Sequence, residues 1–112
     1  MAETDVLELT RKLGREPNVD TALHILQWEL GDLAKACVYT KWHPNLANAY
    51  REEAGLALAS LLFQSRVVIS LLGLNLDNLI TLGEDIVKER IQEKLEKVGR
   101  FEHYVGEKVD KK

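Results

Sequence analysis

Residues 54–72 read AGLALASLLFQSRVVISLL, a run that is apolar nearly all the way round a helix. No other feature restricts the fold of this chain as much. At 112 residues the chain is one domain by size, with bulk for a single modest core. A core that small has too few neighbouring elements to cover a helix on every side. A membrane span is not expected either, because Gln64, Ser65 and Arg66 interrupt the run before it reaches the roughly 18 apolar residues that a span needs. The expected cover is a second copy of the chain, in a homodimer or homotetramer with this helix central to the interface.

Helical periodicity runs through the remaining sequence, and no alternating stretch demands a strand. The expected fold is all-α, a bundle of about four helices over residues 1–112, completed by homo-oligomerisation. A short first helix is expected from an N-cap at Thr4 to Leu13, with Val6, Leu9 and Leu13 on one stripe and Gly14 ending it. The second is expected from an N-cap at Asp20 to Lys41, with Ala22, Ile25, Leu26, Leu30, Leu33 and Cys37 on its apolar face. KWHPN then forms a loop, since Pro44 forces His43 out of helical geometry. The third helix begins near Asn45 and reaches Leu72, where Gly73 is a natural stop. The fourth runs from about Asn75–Asp77 to Val98, with Gly83 inside it marking a close contact or a kink. Beyond it, Phe101 and Tyr104 either pack or lie in a frayed tail.

A net charge of −3 with dispersed basic residues lacks the footprint of a nucleic-acid binder. One cysteine, Cys37, excludes an intrachain disulfide, and its expected place is a buried helix face. The acidic start MAETDVLEL lacks the layout of a secretion signal, so the expected location is cytoplasmic.

Two acids interrupt the apolar pattern in ILQWELGDLAKA, where Glu29 and Asp32 stand three residues apart and share a helix face. The next helix carries Glu52 and Glu53 in YREEAG. A short loop makes the two helices antiparallel neighbours, and facing acids in a helical bundle can hold magnesium, which takes hard oxygen ligands. The same spacing is also common on solvated helix faces.

Three stretches carry a resemblance. WELGDLAKA looks like the first signature of the MazG-like all-α nucleoside triphosphate pyrophosphohydrolases, E-E-x-G-E-L-A-E-A. EEAGLALASLL is similar to their second, E-E-L-A-D-V-L-x-Y-L, and LLGLNLDNLI resembles L-G-I-D-L-E-E-A-V, which opens the following helix. The resemblance spans about Leu23 to Lys88. It implies a magnesium-dependent enzyme that hydrolyses a nucleoside triphosphate to the monophosphate and pyrophosphate, with Glu29, Asp32 and Glu53 as metal ligands. Glu52 would substitute if the helix were rotated. Trp28 stands where the first acid belongs and Leu56 where the last Asp belongs, and neither can coordinate a hard cation. The resemblance therefore leads to one of two expectations. One is a pyrophosphohydrolase with a degenerate site. The other is a non-catalytic oligomeric bundle that binds nucleotides or proteins. An unrelated helical adaptor is the third reading.

Lys35, Lys88 and Arg90 are candidates for holding phosphates. Arg66, set in an apolar helix, must pair with an acid or reach a phosphate. Trp28 and Trp42 suit either burial at a contact or base stacking. His24, His43 and His103 have no evident partner in sequence.

Overall fold

The computed structural model describes residues 5–105, with the backbone alone described over 99–105. Its elements are helices α1 (Val6–Lys12), α2 (Val19–Trp42), α3 (Ala47–Leu71) and α4 (Leu76–Val105), with a 3-10 turn at Pro44–Leu46. The fold is all-α with four helices, and no strand occurs among the described residues. The chain divides into two compact units, Met1–Asn75 and Leu76–Lys112.

Side chains next to the expected ones start the first two helices. Asp5 caps α1, its Oδ1 accepting from the backbone N–H groups of Leu7 (3.0 Å) and Glu8 (3.2 Å); Thr4 lies outside the described residues. Asn18, not Asp20, caps α2, with Oδ1 accepting from the Thr21 N–H at 2.8 Å. Asp20 falls inside the first turn, where its charge suits the positive end of the helix dipole. The buried Pro17 precedes the cap and lines the same small hollow as Ala22, four residues into the helix, as in a hydrophobic staple.

Helix ends follow backbone chemistry. Among the described residues Gly14 and Gly73 have positive φ, at 85° and 69°. Behind α3 the Leu74 N–H reaches Ile69 O (3.0 Å) and the Gly73 N–H reaches Ser70 O (3.1 Å), the paired bonds of a Schellman stop. Pro44 starts a 3-10 turn, so α3 begins two residues later than expected. Helix α4 runs on to Val105 through the segment expected to pack or fray.

Helices α2 and α3 form an antiparallel pair in a legible register. Tyr39 meets Tyr50, ring centroids 5.4 Å apart, beside the turn. Moving away from it, Asp32 and Ala57 line one concavity and Ala22 and Val67 share one buried cluster, as expected when each step up α2 from Tyr39 is matched by one down α3 from Tyr50. The buried residues along this pair are mostly small, Ala22 and Ala36 on α2 and Ala57 and Val67 on α3, with Ile25 the one large side chain. Helix α1 closes one end, where Val6 joins Ala22 and Val67, with Leu7, Phe63, Val68 and Leu71 packed around them.

Several expected core positions are outside it. Leu9 and Leu13 are exposed, and α1 instead buries Thr10, whose hydroxyl donates to Val6 O at 2.9 Å and so enters the core satisfied. Leu30 and Cys37 are exposed, because the side of α2 that meets α3 is set by Ala22, Ile25 and Ala36. Gly83 has open space around it and no kink breaks α4. Within the second unit, the stripe Ile80, Val87 and Ile91 is about half exposed. By length and composition Pro44–Leu71 is long and apolar enough to cross a membrane despite Gln64, Ser65 and Arg66, and 11% of its most apolar window is buried in the chain.

Replacing Ala36, which is 1% exposed, tests the close pairing of α2 and α3. Ala36→Leu is expected to cost about 1–3 kcal/mol through overpacking, and Asn18→Ala about 1 kcal/mol through a lost cap. Denaturant unfolding measures both. An Ala36→Leu chain as stable as the parent would show that the helices are not closely packed there.

Candidate functional site

One open concavity gathers most of the residues that the sequence singles out. Glu29, Asp32 and Lys35 line it from α2, and Glu53, Leu56, Ala57 and Ser60 from α3. The α2 residues follow one another at three-residue steps, so they stay near one face over two turns. The α3 residues do the same at steps of three and four. The antiparallel register then sets these two acid-bearing edges beside each other.

That register also staggers the acids. Glu53 is level with Ala36, a turn nearer the inter-helix loop than Asp32 and about 10 Å along the axis from Glu29. The position between them on α3 is Leu56, 67% exposed. An acid there would stand next to the level of Asp32; leucine offers no donor atom. On the other helix Trp28 is 59% exposed and donates its indole N–H to Glu29 Oε1 at 3.1 Å. A carboxylate engaged by an N–H donor has given up one of the lone-pair directions that a cation would use.

Magnesium therefore does not fit the residues as they stand. Three hard carboxylates share a concavity, which suits the ion chemically, but they do not converge. Among the described residues no group of three or more His, Cys, Asp or Glu side chains is placed to hold a metal ion.

The other candidates lie elsewhere. Glu52 is exposed on α3 and outside the lining of the concavity. Arg66 is half-buried further along α3, with contacts of its own inside the chain. Lys88 and Arg90 are exposed on α4, in the second unit. His24 and His43 are exposed, and His103 is in the stretch described by backbone alone.

An aromatic group at the turn was not assembled from sequence. Tyr39 stacks obliquely with Trp42 (5.8 Å) and edge-on with His43 (5.6 Å) and Tyr50 (5.4 Å). Lys35 Nζ sits 5.6 Å from the Tyr39 ring centre, so one lysine borders both the rings and the acids. The signal was present as Tyr39, Trp42 and His43 at helical spacing with Tyr50 across a short loop. Trp42 is 68% exposed, which leaves a ring face open to solvent.

No protein-family model, curated protein or solved structure matches the chain. The resemblance rests on the three stretches themselves.

A chain without a ready metal site is expected to show no linkage to magnesium. Millimolar magnesium should leave the thermal midpoint within about 1 °C of the value in EDTA, whereas an ion at 100 times its Kd would add about 2.7 kcal/mol. A clear upward shift would mean that the carboxylates close on the ion.

Proposed function

We propose that this chain is a MazG-like helical protein in which pyrophosphohydrolysis of nucleoside triphosphates is weak or lost. The observation that carries the reading is the shared concavity of Glu29, Asp32, Glu53 and Leu56. These are the positions that the resemblance assigns to the metal ligands, and they come together across an antiparallel helix pair. The same observation supports the loss of chemistry. Leucine occupies one ligand position, and the tryptophan at another engages its neighbouring carboxylate. Three carboxylates against one lysine leave the concavity net negative, so without a cation it repels a triphosphate.

A second reading, nucleotide binding without hydrolysis, is favoured by the exposed ring cluster beside Lys35. There a base would stack on Trp42 or Tyr39 and the lysine would meet a phosphate. In a Trp28→Phe background Trp42 is the remaining tryptophan, and quenching of its fluorescence by ATP, CTP, GTP or UTP would support this reading. Unchanged emission across that panel would remove it.

Restoring the missing acids tests the main proposal. Trp28 and Leu56 are both largely exposed, so Trp28→Glu with Leu56→Asp should change stability by only about 0.5 kcal/mol. The parent chain is expected to release little or no pyrophosphate from common NTPs and dNTPs with magnesium or manganese. The double variant should release at least about tenfold more, a gain of roughly 1.4 kcal/mol in transition-state stabilisation. Robust hydrolysis by the parent would overturn the loss of chemistry. A folded double variant as silent as the parent would overturn the MazG-like reading.

A further inference from the structure

Helix α3 carries a further side, largely exposed, away from the face that packs on α2. Ala57 is buried against α2, and Ala59, two residues on, is turned about 200° further round the helix. The side centred on Ala59 includes Glu52, Gly55, Leu56, Leu62, Phe63 and Arg66, which fall at helical spacings on either side of it, with Phe63 half-buried against the Val6–Ala22–Val67 cluster at one edge. Leu56 is 67% and Leu62 68% exposed; Glu52, Gly55 and Ala59 are exposed too, and Arg66 is half-buried. A Cβ added at Gly55 would meet nothing within 4 Å.

The charges and leucines on this face are symmetrically placed, while Gly55, four before Ala59, is matched by the larger Phe63 four after it. Seven positions before Ala59 stands Glu52 and seven after it Arg66; three before stands Leu56 and three after it Leu62. A two-fold axis through Ala59 would turn such a helix into its own antiparallel complement. Glu52 of each copy comes level with the partner's Arg66, and Leu56 level with the partner's Leu62. The small Ala59 falls at the centre, where two backbones must approach most closely, and Gly55 leaves room level with the partner's Phe63. Charge of opposite sign at matched distances from a common centre is what an isologous contact requires. A parallel pairing in register would instead set Glu52 on Glu52 and Arg66 on Arg66, which repel.

We propose that a second copy of this chain covers the outer face of α3, antiparallel and with its two-fold axis at Ala59. Arg66 keeps its contacts within the chain, and a guanidinium with five N–H donors can take the partner's carboxylate as well. Leu56 lines the acid concavity and also borders this face. The partner helix therefore runs along the rim of the concavity, and each dimer holds two concavities. Glu53 of one copy is about 18 Å, measured along the helices, from its equivalent in the other. The proposal rests on the sequence order and exposure of α3 and is independent of any reading of catalysis.

Sedimentation of the full chain gives the first test, with a dimer expected. Glu52→Arg or Arg66→Glu alone should weaken the dimer about tenfold or more, and the two together should restore it to within about threefold. Restoration is the diagnostic result, since a merely disruptive change would not be repaired by a second one. Circular dichroism shows whether each variant is folded; if Arg66→Glu is not, cross-linking decides. In a Cys37→Ser background, Ala59→Cys should link two copies through a short thiol cross-linker. Asn48→Cys should not, since antiparallel pairing holds two such residues about 33 Å apart along the helices. A monomeric parent chain would overturn the proposal. So would a dimer that links through residue 48 with itself, or one that links through neither position.

Discussion

The contact between α2 and α3 along small side chains is the constraint on which the rest of this structure depends. Alanine at 22, 36 and 57 lets the two helices approach closely and fixes their register. Close approach has a cost in driving force, because an alanine removes far less apolar area from water than a leucine does, at about 25 cal/mol per Å². The larger apolar side chains of the two helices end up beside the seam instead of in it. Leu30, Leu56, Leu58 and Leu62 all keep 46% or more of their surface exposed. A chain built this way has a small core of its own and much apolar surface left for assembly.

The same register decides the chemistry of the concavity. It brings the acids of two helices to one place and staggers them by one to two turns, so that closing a cation site depends on the residues between. Leu56 stands at such an intermediate position, and Trp28, just beyond Glu29, engages that carboxylate through its indole N–H. On the reading proposed above, acids at these two places would close the set, and their absence leaves a negatively charged surface.

Much of this was legible in sequence, and the failures share a cause. The all-α class, the four helices and the stop at Gly73 follow from periodicity and local backbone chemistry, which act over a few residues. Spacing and a short loop raised the meeting of Glu29 and Asp32 with Glu53, and these three line one concavity; Lys35, expected only as a phosphate candidate, lines it too. What was missed depends on which of two adjacent candidates tertiary contact selects. Asn18 wins over Asp20 as a cap because Pro17 is buried beside it. Thr10 wins over Leu9 and Leu13 because the short α1 can present only one side to α3, and a threonine that bonds its own helix backbone costs little there. Cys37 is displaced from the core by Ala36, one residue away. The unequal distances of Glu29 and Glu53 from the loop point to a stagger, but its size needs a register accurate to one residue, and helix ends are not readable from sequence at that precision.

The apolarity of α3 on nearly every side then has a reason in each direction. One side meets α2 through Ala57, and a second meets α1 through Val67 and Phe63. On the pairing proposed above, a third meets another copy through Ala59 and Leu62. The interruptions in its sequence are informative in the same terms. Glu53 and Ser60 interrupt the helix at the edge that forms the concavity. Glu52 and Arg66 interrupt the outer face at equal distances from its middle, where charges specify a partner and an orientation at little loss of contact area. A membrane span would need no such placement, because lipid does not distinguish one register from another. On the proposed pairing, the polar positions of α3, more than its hydropathy, select its neighbour.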